Sequence, residues 1–409
     1  MSNFLLIDHI QVQDANAVAG FTWGFPAITH FLGFVHLLQR KINQNSGFQD
    51  IQLGGCMVVA HSHSTSTYRT GSAIAFTQSR NPPYLDSHAK DSPPPIIEEG
   101  KMSMTVSLLI KVEGQLASYG KDFEDWVYKQ SSMQRLAGGS ILHIAGVAGF
   151  AITSENDKNL KQLQRKLLPG FALINRNDLL SSHFKDLLAD NPNADIFDAW
   201  IDFIALKRSA RPEHDLIDRH LNKLAKSKND HHDDVSSNNG HLALLELWQQ
   251  HLNKSYKPDK VPQELKAYFE QLSNESTDKT LKSLINQWQQ YYLPDERSKA
   301  QWEYEPKPSK GYLVPIMCGY KAISEILPNE DVAGTRDNET DVCFVEAVHS
   351  IGEWRSVHRF KDLTAIEDAL WQYNYAPNWY LCSQKHDFDL PDDDFEDDFF
   401  IEPYDPNKT

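Results

Sequence analysis

The periodicity of the first 152 residues constrains the fold more than any other feature of the chain. Phe4–Val12 is a run of strand length with an apolar start. Pro26 precedes Ala27–Arg40, where Ile28, Phe31, Leu32, Val35 and Leu38 recur at helical spacing, and proline suits a first helical turn. Ile51–Ala60 reads as a strand interrupted by Gly54-Gly55, a composition that fits a bulge. Met102, Met104, Val106, Leu108, Ile110 and Val112 then alternate with a period of two. Asp122–Leu136 fits a helix, and Ile141–Ile152, apolar and rich in small residues, fits a buried strand. The order is strand, helix, strand, strand, helix, strand. The expected fold is therefore α+β, with a ferredoxin-like βαββαβ core of the kind found in RNA-recognition-motif domains.

Residues 1–180 are expected to form this core, with a protruding arm at 63–101 between the second and third strands. So long a connection inside a compact domain is usually functional, and this one carries Ser/Thr-rich and Pro-rich pieces. Residues 181–309 are expected to be largely helical, with an inserted subdomain at 207–300. Residues 310–384 regain apolar density and are expected to rejoin the core. The tail at 385–409, acidic with interspersed Phe residues, is expected to be disordered and solvated.

The formal charge of −16 argues against a general polyanion binder. Residues 1–180, however, hold 15 Lys/Arg against 14 Asp/Glu. A nearly neutral domain can still hold RNA through local cations and backbone N–H groups. No apolar run approaches the roughly 18–20 residues of a membrane helix. The chain opens on Phe4–Ile7 without a basic leader, which reads as a first strand and not a signal peptide. The cysteines, Cys56, Cys318, Cys343 and Cys382, never pair as CxxC, so neither a disulfide framework nor a zinc ribbon is expected. The expected setting is cytoplasmic.

Several short strings recur in a familiar order: Asn16-Ala17 with Thr22-Trp23-Gly24-Phe25-Pro26, Gly33-Phe34-Val35-His36, Arg80-Asn81-Pro82 and Ile97-Glu98-Glu99-Gly100. Arg135-Leu136-Ala137-Gly138-Gly139-Ser140-Ile141 and Leu167-Leu168-Pro169-Gly170-Phe171-Ala172-Leu173 follow. The series ends with Leu313-Val314-Pro315-Ile316, Gly319-Tyr320, Arg336-Asp337, Glu339-Thr340 and Gly352-Glu353-Trp354. Each string is weak alone; their collinear order resembles the second Csy subunits of type I-F CRISPR surveillance complexes, a branch of the Cas-five-like RAMP proteins. The 207–300 region and the acidic tail depart from that pattern. The resemblance implies a subunit that is not the processing nuclease and caps the 5′ handle of the CRISPR RNA. It implies a heterodimer with the large Csy subunit, contact with the backbone Csy subunits, and a place near the site where target double-stranded DNA is opened. No cofactor is implied.

Candidate RNA-binding residues fall in three places. In RLAGGSI, Gly138 and Gly139 allow close backbone approach to a phosphate, Ser140 can donate to phosphate or base, and Arg135 can neutralise or stack; a helix C-cap is the competing reading. In TWGFP, Trp23 and Phe25 either stack an unpaired base or anchor the core above the following helix. On the arm, Arg69 and Arg80 suit phosphate and Asn81 a base edge, unless they are solvated loop residues. His61 and His63, expected on one strand face, and His143 raise the alternative of a metal-independent endoribonuclease. A scaffold without RNA contact is the other alternative. His231-His232-Asp233-Asp234 sits in a polar linker and is not expected to hold a metal.

Overall fold

The computed structural model describes residues 2–71, 73–80, 96–97, 99–114, 116–153, 158–211, 279–292, 301–335, 337 and 339–385, with isolated positions between 219 and 277. The acidic tail beyond Lys385, most of 207–300 and the His231–Asp234 run lie outside them. The chain divides into two units, Met1–Ile204 with Ser309–Thr409, and Ala205–Pro308.

The first unit is α+β. Its opening third contains β1 (Ser2–Asn16), α1 (Ile28–Asn43), β2 (Gln52–Thr65), β3 (Lys101–Glu113), α2 (Leu116–Ser132), β4 (Gly139–His143) and β5 (Gly146–Ile152). β3 pairs with β1 on one side and β2 on the other, and β4 and β5 pair in succession along the far edge of β1, all antiparallel. The bulge expected at Gly54-Gly55 is present as a register shift between Leu53 and Cys56.

Two local expectations need correction. The single strand expected at 141–152 is split at Ile144-Ala145. The break faces a register irregularity in β1, where His9 takes a left-handed φ of 47° and Ala145 N–H donates to Asp8 O. The second helix stops at Ser132 instead of running to Leu136, because Arg135-Leu136 turns back and pairs with Gly139-Ser140.

After α3 (Lys158–Lys166), β6 (Phe171–Asn175), a strand beyond the six expected elements, joins the outer edge of β2. Beyond α4 (Asn177–Asp190) and α5 (Ile196–Ile204), the sheet grows through β7 (Leu313–Ala322), β8 (Val345–Ser356), α6 (Leu363–Asp368), β9 (Gln372–Ala376) and β10 (Trp379–Ser383). From the β4 edge outward the order is β4, β1, β3, β2, β6, β8, β7, β10, β9, and among the described residues eleven strands share this sheet.

Strand alternation puts two apolar layers on the two faces. Leu5, Ile7, Val58, Leu108 and Ile110 pack beneath α1 and α2, meeting Phe31, Val35, Leu38, Phe123 and Val127. Phe4, Leu6, Met57, Val59 and Leu109 pack on the other face against Leu160 and Leu163 of α3 and Ile366 of α6. Each such buried side chain contributes about 1.5–3 kcal/mol relative to exposure. The second cover is short. It ends near Asp8 and Ser107, and the strands run on uncovered.

In the second unit, Arg208–Arg211 pairs with Gln301–Tyr304, and the Arg208 guanidinium lies 5.8 Å from the Trp302 ring centroid. The helix Lys279–Tyr292 buries Ile285. Among the described residues no helix is long and apolar enough to cross a membrane.

Candidate nucleic-acid interface

Where the cover of α3 and α6 ends, the side chains on that sheet face change character. Phe4 and Leu6 give way to Gln11 and Gln13 on β1, and Leu109 gives way to Thr105 and Ser103 on β3. The strand pairings align these residues across the sheet: His143 with Gln11, Gln11 with Thr105, and Thr105 with Ser62. Next along lie the pairs Ser140–Gln13 and Ser64–Ser103. Except for the half-buried Thr105 these residues are exposed; Gln11, Gln13, Ser62, Ser64, Ser103 and Thr105 line a trough of about 320 Å³ together with His63 and Leu142, and Ser140 and His143 lie beside it. None is a carboxylate, ammonium or guanidinium. Such a surface offers hydroxyl and amide partners to base edges and sugar hydroxyls more than charge to phosphates.

A bulge sets this pattern. Between Ala60 and Ser62 β2 carries one residue more than β3. The extra residue reverses the alternation, so Ser62 and Ser64 face the trough. His63 turns to the helix side, where its ring lies edge-on to Phe25 at 6.4 Å. His61 and His63 therefore do not share a face, contrary to the spacing-based expectation.

His61 instead closes the trough at the covered end. Its ring stacks on His9 with centroids 3.8 Å apart and planes 17° apart. His61 Nδ1–H donates to Pro169 O at 2.7 Å, and its Nε2 lies 2.7 Å from Ser107 Oγ, whose hydroxyl also stands 3.3 Å from Asp8 Oδ1. The His9 backbone N–H donates to the same hydroxyl oxygen at 2.9 Å. His9 Nδ1–H donates to Asp8 Oδ1 at 2.7 Å, and Lys166 Nζ stands 3.7 Å from Asp8 Oδ2. Burial lowers the pKa of His61, against the Pro169 carbonyl, which raises it; His9 lowers it further and Asp8 raises it. A neutral His61 with both nitrogens engaged is a satisfied wall of the site. His9, with 34% of its side chain accessible, is the member that meets solvent.

The residues singled out from sequence are distributed around this end of the sheet. Ser140, paired with Gln13, lies beside the trough. Ala137 and Gly138 have φ of 50° and 76°, the combination of a primed two-residue hairpin turn, so this loop is a β-turn and not a helix C-cap. Arg135 is exposed beside it, with Nη1 3.2 Å from Gly138 O. Gly139 lies directly on the β1 backbone. Phe25 packs inward, stacked on Phe31 at 5.4 Å and edge-on to Trp354 at 4.8 Å. Trp23 covers Gly100 and stacks at 4.2 Å on Phe76. Phe76 belongs to a hairpin, Thr67–Thr70 with Ala73–Phe76, that continues from the ends of β2 and β3. Arg69 is exposed on that hairpin opposite Ile74. The backbone of Arg80 pairs with Ile96; its side chain, and Asn81, lie outside the described residues. His143 is exposed on the trough's outer edge.

Gln11, Gln13, Ser103, Thr105, Asp8, His9, Ser107 and Lys166 were not singled out from sequence. The signal for Ser103 and Thr105 was present, as an apolar-to-polar switch on one parity of β3; for Gln11 and Gln13 it was not, because the bulge at His9 moves that face from the parity of Phe4 and Leu6 to the other. The His9 network was hidden by two bulges that no periodicity announces.

A family model described as CRISPR-associated protein (Cas_Csy2) matches residues 5–263 and 250–382. The chain is also similar to CRISPR-associated protein Csy2 of Pseudomonas aeruginosa (strain UCBPP-PA14), with 29% identity over 389 residues covering 91% of this chain and 92% of that protein. The matched stretches include every strand and helix that builds the trough, and the chain belongs to the CRISPR-associated Csy2 family.

Proposed function

We propose that this chain is a non-catalytic RNA-binding subunit of a type I-F CRISPR surveillance complex, holding the 5′ handle of the guide RNA. In this reading it pairs with the large Csy subunit, adjoins the backbone subunits and sits near the point where target double-stranded DNA is opened. The observation that carries it is the open polar half-face of β4, β1, β3 and β2, ended by the His9–His61 stack and flanked by the Arg135–Ser140 hairpin. Single-stranded RNA exposes base edges and 2′-hydroxyls, the groups that glutamine, serine and threonine side chains recognise. The β4–β1–β3–β2 order with α1 and α2 on one face supports a ferredoxin-like core whose usual RNA-facing side is left half open. In this reading Arg135 and Arg69 supply phosphate contacts at the rim. Phe25, committed to packing, takes no direct part.

The endoribonuclease alternative needs a histidine free to take a proton. His61 has both nitrogens engaged and the His63 ring turns toward Phe25, so cleavage would rest on His143 and His9, the histidines open to solvent; the extended hydroxyl and amide surface favours binding. The test is ultraviolet crosslinking of guide RNA in the assembled complex, followed by peptide mapping. Crosslinks are expected in Gln11–Gln13, Arg135–His143 and Ser62–Arg69. Crosslinks confined to other parts of the chain, or cleavage of repeat RNA by the purified chain that is lost in His61→Ala, would overturn the proposal.

A further inference from the structure

His9 is held more firmly than an accessible strand residue needs to be. It sits in the β1 bulge with a φ of 47°, a left-handed conformation that is uncommon outside glycine. Its backbone N–H donates to Ser107 Oγ at 2.9 Å, and its Nδ1–H donates to Asp8 Oδ1 at 2.7 Å. One face of the ring lies on His61, with centroids 3.8 Å apart. Together these contacts fix the backbone, the direction of the ring and its plane. Strained backbone that the surroundings hold in place clusters at ligand-binding positions.

The two rings are not equivalent. His61 is backed by the loop between α3 and β6: its Nδ1–H donates to Pro169 O, and a Cβ at Gly170 would stand 3.1 Å from its Cε1. His9 is the outer ring, with 34% of its side chain accessible. Beyond it on the same sheet face comes the row of Gln11, Thr105 and Ser62. Asp8 has Lys166 Nζ 3.7 Å from its Oδ2, so that pair brings no net charge to the surroundings of the ring.

A flat, immobilised ring with one free face, edged by an amide and two hydroxyls, matches a nucleobase. A base lays its π-face on the ring and turns its edge to the polar groups. A phosphate would gain nothing from the ring, and an apolar side chain would leave the amide and hydroxyls unmet. We propose that one unpaired base of the bound RNA stacks on the free face of His9, adding a third ring to the His61–His9 stack, with Gln11 at its edge. This rests on the trough being the RNA-binding surface and names the contact that orders the strand within it.

The experiment uses the assembled complex on synthetic guide RNAs in which one 5′-handle nucleotide at a time is abasic, with guide affinity read by competition. With His9 in place, one abasic position is expected to weaken binding about tenfold, the loss of one base stack. H9N keeps a residue that tolerates left-handed φ and removes the ring; a melting curve checks its fold. In H9N the intact guide is expected to bind about tenfold more weakly, and the same abasic position to cost nothing further. H9F retains a ring and is expected to bind the intact guide within about threefold of the unsubstituted chain. Unchanged affinity in H9N, an abasic loss in H9N as large as with His9, a loss in H9F as large as in H9N, or no sensitive handle position at all would each overturn the inference. Failure of the underlying RNA reading looks different: crosslinks would then avoid Gln11–Gln13 and Ser62–Arg69 whatever residue stands at position 9.

Discussion

At Gly139 a Cβ would stand 2.6 Å from Gln13 O and 2.7 Å from Ala15 N, both backbone atoms of β1. Backbone cannot swing aside as a flexible side chain can, so Gly139→Ala must shift the hairpin or β1. Overpacking of this kind costs about 1–3 kcal/mol. At Gly138 nothing lies within 4 Å, and the constraint is its φ of 76°; an alanine there pays only the left-handed penalty, about 1–2 kcal/mol. Urea denaturation midpoints should fall in both variants, and guide-RNA binding should fall further in Gly139→Ala, since displacing β1 displaces Gln11 and Gln13. Equal retention of binding in the two would mean that the hairpin does not position the trough. The glycine pair was legible in sequence as a turn with close approach, but its partner was not, because β1 lies more than a hundred residues upstream. Phe25 shows the same limit. Its two readings, base stacking and core anchoring, differ only in whether Phe31 and Trp354 surround it, and Trp354 is reached through pairings the local sequence does not encode.

The long connection between β2 and β3 was recognisable as an arm from its length and its Ser/Thr and Pro content. Its described part is a hairpin whose Tyr68, Ile74 and Phe76 are exposed. Such a hairpin has too little apolar burial to be stable alone, and the Trp23–Phe76 stack is a tie between it and the sheet. Phe76→Ala should therefore loosen the arm without unfolding the molecule. Limited proteolysis is expected to cut within 67–77 several times faster in the variant, while the main melting transition moves by no more than about 2 °C, as local opening predicts. Equal cleavage rates would show that the strand continuations at Ser66 and Thr77 hold the arm unaided. Elements with a clean period were readable in this way: α1, the apolar halves of β1 to β3, and the arm as an interruption. β6 was not, because Ala172 and Leu173 bury consecutive side chains on opposite faces, leaving no alternation to distinguish it from a helix. The covering of half a sheet face by α3 and α6 was equally hidden, since β6, β7 and β8 separate those helices in the chain.

At the scale of the whole molecule, the histidines of the first unit act together. Burial lowers the pKa of His30, His36, His61 and His349 below the ordinary 6.5, with Arg40 adding to the effect at His36. Each is neutral in the folded chain at a pH where the unfolded chain has begun to bind a proton there. The unfolded state then holds more protons, so stability rises with pH across that window. The histidine contribution is fully present above about 6.5 and is lost as pH falls from there toward the folded values. A second loss lies lower. Asp178, held chiefly by Arg176, and Glu353 and Glu367, where Arg355 with Arg176 and Ser2 with Lys111 outweigh the cost of burial, all ionise below their ordinary values. Their stabilisation is present above those ordinary values and is lost as pH falls through the folded ones. Urea midpoints measured from pH 7.5 to 3.5 should therefore fall in two stages, the first beginning below about 6.5 and the second below about 4.5. His61→Gln should make the first stage shallower and leave the second unchanged, because glutamine binds no proton in either state. A midpoint that stays flat from pH 7.5 to 5.5 would mean that these imidazoles are not held neutral. The ring closing the trough would then be charged, and a positive wall would favour phosphate over the base and sugar groups to which the uncharged floor is suited.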